Sequence, residues 1–464
     1  MTEQTRASHD PDRPEALLAF MATGWAERSE VLPDPDAGAP HRAGRRRALA
    51  ERFPGEWLVV PSGGYRMRAN DTEYRFRPST EIAYLTGGLE PDAVLVIDPS
   101  GEAVLYQAPS MDRTTPAFFT DRTYGELWVG PRPTLAATSA LLGLETRPLE
   151  ELDKLAGTAA RVVRGYDTRV EALLETTEQA DAELSAALSE LRLVKDAHEV
   201  AQLQDAVDAT VRGFEDVVRA LPQARATSER WAEGVFGLRA RVEGNDVGYG
   251  SICAAGAHAC TLHWTDNDGP VRDGDLLLLD MGVENRELYT ADITRTLPVS
   301  GTFSPRQREV YQLVYEAQEA AFAACRPGAE FLDPHRAAMR VLAVGLQRLG
   351  VLDDAEAALA DDDRRYARWT LHGVSHMLGL DVHDCAHARE ERYRKGPLEV
   401  GQVLTLEPGL YFQPDDLLVP EDLRGIGVRI EDDVLVTEDG CVNLSAALPR
   451  DPDAVEVWMA GLRG

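Results

Sequence analysis

The sequence predicts an α+β chain in two parts. A small α/β domain occupies residues 41–190, and a larger domain of helices packed on a sheet occupies residues 191–464. Residues 1–40, polar and proline-containing, read as a loose lead-in. Three observations carry this reading. Short apolar runs alternate with turn residues through the first third of the chain. A long apolar stripe at helical spacing begins after Asp196. One pattern occurs twice in the second part, as G-D-L-L-L-L-D-M-G at 274–282 and G-Q-V-L-T-L-E-P-G at 401–409.

The small domain opens with a basic helix from His41 to Phe53, whose run Arg45-Arg46-Arg47 reads as a solvated face. Strands are expected at 57–60, 82–85, 93–97 and 103–106, with helices near 134–142 and 149–156 and a short strand near 161–163. Residues 176–192, rich in Ala, Glu and Leu, read as a connecting helix. From Asp196 onward Val200, Leu203, Val207, Val211, Phe214, Val218 and Leu221 recur every three or four residues, a stripe that needs a sheet to lie on. A second helix spans about 227–242. A third starts at Ser304-Pro305-Arg306-Gln307, which has the residues of a capping box. A fourth begins near Asp333-Pro334 and stops at Gly350. The repeated pattern places a carboxylate six residues after a glycine, at the end of an apolar run: Asp280 once, Glu407 once. It implies a sheet of two similar halves.

Composition excludes several functions. A formal net charge of −30 argues against nucleic acid and against an anionic membrane surface. No apolar run approaches the ~20 residues of a membrane span, and no signal peptide precedes the polar N-terminus. Five cysteines without regular spacing suggest neither a disulfide framework nor a thiolate metal site. They read as small buried thiols in a reducing compartment, and the chain as cytoplasmic.

The chemistry concentrates in W-T-L-H-G-V-S-H-M-L-G-L-D-V-H-D, residues 369–384. It holds His372, His376 and His383. Gly373 and Gly379 interrupt any helix there, at about 1 kcal/mol each against alanine. Imidazoles on a bending, largely apolar segment describe a site-forming loop. Asp280 and Glu407 end apolar runs, where an unpaired charge is expensive. Asp292 opens D-I-T-R-T, and Glu431 lies in V-R-I-E-D-D-V-L-V, on the same strand face as Arg429. Taken singly, each carboxylate reads as a surface or ion-pair residue. Four carboxylates and a histidine together suit two adjacent divalent metals, Mn²⁺ or another hard-to-borderline ion better than thiolate-type zinc. Two metals roughly 3.5–4 Å apart activate a bridging water and polarise a carbonyl.

These residues fall in motifs. R-A-N-D-T-E-Y at 68–74, L-H-W at 262–264, L-D-M-G at 279–282 and A-D-I-T-R-T at 291–296 come first. H-G-V-S-H-M-L-G-L-D-V-H-D at 372–384, L-E-P-G-L-Y at 406–411 and R-G-I-G-V-R-I-E-D-D at 424–433 follow. From about residue 41 onward the chain resembles the Xaa-Pro aminopeptidases, members of the pita-bread metallopeptidase family that also includes prolidase, creatinase and methionine aminopeptidase. The resemblance implies a C-terminal pita-bread (creatinase/aminopeptidase-like) domain and a creatinase-like N-terminal α/β domain. It implies two divalent ions per subunit, peptide substrates with proline second, and a dimer or tetramer.

It also implies roles. Asp280 would bind one metal, His376 and Glu407 the other, and Asp292 and Glu431 both. Glu407 would be the general base towards the bridging water. His383 would stabilise the tetrahedral intermediate, and His263 would hold substrate near the scissile carbonyl. His372 and Arg429 would line the proline side. Asp71 and Tyr411 would join Arg429 in a polar chain. Trp128, in E-L-W-V-G, matches a pocket-covering tryptophan, with core packing as its alternative. Two rival functions remain at this level. One is a prolidase, restricted to Xaa-Pro dipeptides, against which R-A-N-D-T-E-Y argues. The other is a non-catalytic pita-bread binding protein, against which five competent ligand positions argue.

Overall fold

The computed structural model describes residues 13–26 and 30–463 and divides into two compact units after Leu188. The first unit is built on a five-stranded mixed sheet, ordered Glu145–Pro148, Ala103–Gln107, Val94–Ile97, Trp57–Pro61, Ala160–Val162. Val59 pairs antiparallel with Val96 and parallel with Val162. These three, with Val94, Tyr106, Leu152 and Leu155, form the apolar core on one face. Of the lead-in, the described part contains a seven-residue helix, Glu15–Met21, with no buried residue.

Two expectations for this unit fail for physical reasons. Residues 82–85 are not a strand but lie in the helix Thr80–Thr86, which is buried throughout. Its signals are terminal. Ser79 Oγ accepts from Ile82 N–H at 3.3 Å, and Gly87 closes the helix in the left-handed conformation, φ 70°. A short apolar run carries no periodicity to separate the two possibilities. The arginine run is not a solvated face either. Arg45 and Arg46 are buried, and their guanidiniums donate to the carbonyls of Tyr84 and Leu85 at 3.0 and 2.7 Å, near the C-terminus of that helix. Burial lowers the Arg46 pKa to about 10. The expected helix at 149–156 is a 3₁₀ helix, Leu149–Leu155.

R-A-N-D-T-E-Y forms a hairpin, Met67–Ala69 against Thr72–Glu73, with Asn70 in the left-handed region at φ 51°. Asp71 at its tip lies 3.8 Å from the Arg122 guanidinium, which sits 5.1 Å over the Trp128 ring. Trp128 is 44 % exposed, so core packing does not explain it.

The second unit contains two three-stranded antiparallel sheets. Leu276–Met281 is central in the first, between Ile293–Pro298 and Ile252–Ala255. In the second, Asp432–Thr437 is central, between Val403–Leu406 and Gly440–Asn443. The two halves are therefore similar but not identical: the repeated strand is central once and at an edge once. Each half has a packed helix pair, Ala197–Arg219 with Glu229–Glu243 and Pro305–Ala324 with Asp333–Arg348. Capping boxes at Asp196/Glu199 and Ser304/Gln307 start the first helix of each pair.

The expected single strand around Glu431 is two. Gly427–Arg429 pairs with Gly409–Tyr411, and Asp432–Thr437 pairs with Val403–Leu406. Between them the Glu431 N–H donates to Thr294 O at 3.1 Å, so this residue stands where the second half meets the first. All five cysteines are free; four are buried, and Cys441 is half-buried.

Candidate metal centre and active site

The histidine segment is held open by its neighbours. Val374 O accepts from Glu407 N–H at 2.8 Å, His376 O from Thr405 N–H at 3.0 Å, and Val403 O from Leu378 N–H at 3.0 Å. The segment thus zips along the edge strand Val403–Leu406 without becoming part of its ladder. Its far end is clamped by buried charge. Asp384 takes Arg192 Nε at 2.9 Å and Lys195 Nζ at 3.2 Å. Gly379 passes this group so closely that a Cβ would collide with the Asp384 carboxylate.

The ends of four strands converge on the segment. Asp292, His376 and Glu431 each offer a ligand atom within 4.8 Å of the others. His376 Nε2 lies 3.3 Å from Asp292 Oδ2 and 3.4 Å from Glu407 Oε1. Its Nδ1 faces Met377 O at 3.2 Å, leaving Nε2 for the site. Asp280 is tied to Asp292 through the Tyr249 hydroxyl, 2.6 Å from one and 2.5 Å from the other. All five expected ligands are therefore together. They line a cavity of about 890 Å³ with His263, His372, His383 and Arg429. Tyr411 adjoins it: its hydroxyl faces His372 Nε2 at 2.7 Å and accepts from Arg429 Nη1 at 2.9 Å. Asp71 and Trp128 belong to the first unit.

Electrostatics test whether cations fit here. Burial, then the charges of neighbouring carboxylates, raises Glu431 well above the ordinary carboxyl range. Asp280 is raised by burial against the pull of Arg429. Burial likewise lifts Glu407, which reaches about 7 with Asp292 adding to the effect. Burial disfavours charge on His376 too, but Asp292 and Glu407 outweigh it and hold the imidazole near about 9. His372 goes the other way, to about 4, through burial and the Arg429 charge. Burial and the neighbouring His376 lower His383. Buried carboxylates thus outnumber the cations that face them. Such a donor set is costly without bound cations, and divalent metal ions fit it.

Three contributors were not legible in the sequence. Tyr249 fixes two ligands, and Gly282 leaves room for its ring. Thr294 Oγ1 accepts from Arg429 Nε at 3.1 Å and donates to Glu431 at 2.6 Å. Buried Asp433 accepts the Asp292 N–H at 3.1 Å. The glycines flanking Tyr249 at 248 and 250 are the one local hint.

Residues 201–438 match the model of metallopeptidase family M24. The chain belongs to metallopeptidase family M24. Ahead of the M24 region, residues 42–165 match the aminopeptidase P N-terminal domain. The chain is 56% identical to Xaa-Pro aminopeptidase 1 of Streptomyces coelicolor, over 98% of its own length and 94% of that protein's. It is 34% identical to the Xaa-Pro aminopeptidase of Escherichia coli, over 90% of this chain and 97% of that one. The solved structure of E. coli aminopeptidase P with the inhibitor Pro-Leu superposes with a TM-score of 0.81 at 31% identity, covering 92% of this chain and 99% of that one. The M24 fold therefore accounts for both sheets of the second unit.

Proposed function

We propose that this M24 chain is an Xaa-Pro aminopeptidase, which hydrolyses the bond between an N-terminal residue and a following proline. The observation that carries the reading is the five-ligand cluster in its cavity. It sits in a chain 56% identical, almost end to end, to a Streptomyces Xaa-Pro aminopeptidase.

Asp280 would hold one divalent ion, His376 and Glu407 a second, and Asp292 and Glu431 both. The oxygen-rich set with a single imidazole suits Mn²⁺. Bound there, the ions supply Lewis acidity to the scissile carbonyl and make water acidic near neutral pH. The chain's own groups do the rest. Glu407 takes a proton from the attacking water and passes it to the proline nitrogen as that bond breaks. His383, on the cavity wall, would stabilise the tetrahedral intermediate as charge develops on the carbonyl oxygen, and His263, on the same wall, would hold the substrate near that carbonyl. Neutral His372, fixed by Tyr411, borders the proline ring. Proline offers no backbone N–H, and this arrangement asks for none. In the first unit, Asp71 and Trp128, with Arg122 between them, are the proposed substrate-binding residues.

One observation favours an aminopeptidase over a prolidase. The Arg429 guanidinium is already committed, with Nη2 to Asp280 at 2.5 Å, Nη1 to Tyr411 and Nε to Thr294. It has little left for the carboxylate of a dipeptide's proline. No helix among the described residues is long and apolar enough to cross a membrane. We place the enzyme in the cytoplasm, as a dimer or tetramer, which light scattering checks.

The test is mass spectrometry on Xaa-Pro, Xaa-Pro-Yaa, Xaa-Ala-Yaa and N-acetyl-Xaa-Pro-Yaa. Release of Xaa from Xaa-Pro-Yaa, with the Xaa-Ala and acetylated peptides left intact, is expected. Cleavage of the dipeptide alone would make the chain a prolidase, and equal cleavage at alanine would remove the proline requirement.

A further inference from the structure

The wall of the cavity that carries His263 is a loop, and one buried carboxylate spans it. Leu262, His263 and Thr265 of this loop line the cavity. His263 is exposed, and no regular element carries it. Leu262 and Trp264, on either side of it, pack against the buried cluster around Ile252, Ala254 and Leu278. Apolar contact is non-directional, so this packing does not by itself fix how the wall is turned. Direction needs hydrogen bonds.

Glu229 supplies them. It is the first residue of the helix Glu229–Glu243, and its side chain is fully buried. Oε1 accepts from the Ala255 N–H at 2.7 Å and faces His258 Nδ1 at 2.8 Å. Oε2 accepts from Trp264 Nε1 at 2.9 Å and from the Gly269 N–H at 2.7 Å. A carboxylate can only accept, so His258 carries its proton on Nδ1. Four donors from the start, middle and end of the loop thus converge on two oxygens. Among the described residues no arginine or lysine pairs with Glu229; its ion-pair partner is His258. The loop's own N–H groups therefore offset the cost of burying the charge. The Glu229 N–H also donates to Gly269 O at 3.0 Å. A Cβ at Gly269 would stand 2.3 Å from the His258 ring, so no side chain fits there. His258 stacks on Trp264, with ring centroids 3.9 Å apart. The indole is therefore held by its edge and by its face.

Glu229 is not among the residues that line the cavity. Whatever it does for the reaction passes through the loop. We propose that Glu229 is a positioning residue for His263, turning the imidazole towards the substrate by fixing Trp264 beside it and both ends of the loop. The inference rests on the reading of His263 as the group that holds the substrate near the scissile carbonyl. A second tie works in the same sense without touching Trp264. Asn267 Oδ1 accepts the Cys253 N–H at 2.8 Å, and its Nδ2 donates to Ser251 O at 2.9 Å. That tie sets the loop against the strand Ile252–Ala255 and leaves the orientation of residues 262–265 to Glu229.

The test is a double-mutant cycle on the metal-loaded full chain. It measures kcat and KM for Ala-Pro-Ala in the parent, E229Q, W264F, H263A and the doubles E229Q/H263A and W264F/H263A. Circular dichroism and metal counting correct each rate for folded, loaded enzyme. Glutamine keeps the carboxylate's shape but turns an N–H₂ group towards one pair of loop donors. E229Q should lose roughly tenfold to hundredfold in kcat/KM, the scale of a displaced positioning group. That loss should divide between kcat and KM as the H263A loss divides. W264F removes a single donor and should lose less, divided in the same way. In the H263A background each change should cost under about twofold, because the group being positioned is gone. Should E229Q fail to fold, the W264F cycle decides alone. Losses of equal size with and without His263 would make Glu229 a structural carboxylate only and overturn the proposal. Parental kinetics in E229Q and W264F, or a division between kcat and KM unlike that of H263A, would overturn it too. Parental kinetics in H263A would overturn it while leaving Xaa-Pro cleavage standing. An Ala-Pro bond left intact by the loaded parent overturns both.

Discussion

Burial among like charges lifts the Glu407 carboxyl to about 7, while its neighbour His376 is held near about 9 by the same carboxylates. The causes differ: burial is the main lift on Glu407, with Asp292 adding to it, whereas Asp292 and Glu407 raise His376 against its burial. Divalent cations would relieve the crowding of these acids by displacing the protons. In the proposed mechanism Glu407 has two tasks, ligand and proton carrier, whereas His376 has only the first. We predict that Glu407→Ala and His376→Ala each lose at least about 10²-fold in kcat, the scale of a lost acid–base group, while the circular dichroism spectrum stays that of the parent. Metal counting beside the kinetics should show weakened binding in both. Near-normal turnover in either variant would contradict the ligand assignment. Tyr249 belongs to the same scale. Its hydroxyl joins Asp280 to Asp292, and its own ionisation is pushed far up by burial and then by those two acids.

At the scale of elements, the histidine segment is positioned by what it is tied to at each end. Its far end is the buried Asp384 with Arg192 and Lys195. Its near end is Trp369, whose indole donates to Asp416 at 3.0 Å. Arg368 grips the same carboxylate with two bonds at 2.9 and 3.0 Å. The Arg368 contact, with bonds from the Leu418 N–H and Trp369, holds Asp416 down at about 2 against an ordinary 3.8. A carboxyl depressed on folding stabilises the native state fully above its unfolded value and loses that contribution as pH falls through the folded one. Asp416→Asn should therefore cost about 1 kcal/mol at pH 7, with the exposure of Arg368 limiting the effect. The difference from the parent should shrink between pH 4 and pH 2. Urea unfolding of both proteins across that range checks it, and a difference that persists unchanged at pH 2 would refute the linkage.

For the whole second unit, the proposed metal centre would join its two halves. Asp280 and Asp292 come from the first sheet and its flank, His376, Glu407 and Glu431 from the second. Ions bound between them should stabilise the native state in proportion to the logarithm of their concentration over Kd. Chelation should abolish activity and lower the melting temperature, and Mn²⁺ should restore both best. Elemental analysis beside calorimetry decides the matter. Full activity in verified metal-free protein would sink the metal-dependent mechanism.

Some of this was written in local sequence. Capping boxes at Asp196 and Ser304 mark helix starts because a cap is a contact across three residues. The five proposed ligand residues could be picked out because each lies in its own short motif, and the fold brings them to one cavity. Other features depended on partners far along the chain. Residues 82–85 became helix through their caps and packing, and Arg45 and Arg46 were buried because that helix offered them carbonyl acceptors. The break at Ile430–Glu431 arises where the chain leaves one ladder for another, and no local propensity encodes that. Tyr249, Thr294 and Asp433 act across separations of 31 to 141 residues. The sequence by itself determined which side chains could do the chemistry, since that is a property of residue type and near spacing. Tertiary structure decided which of them meet, which are desolvated and which charges stay unpaired, because burial and Coulomb energy depend on distance in space.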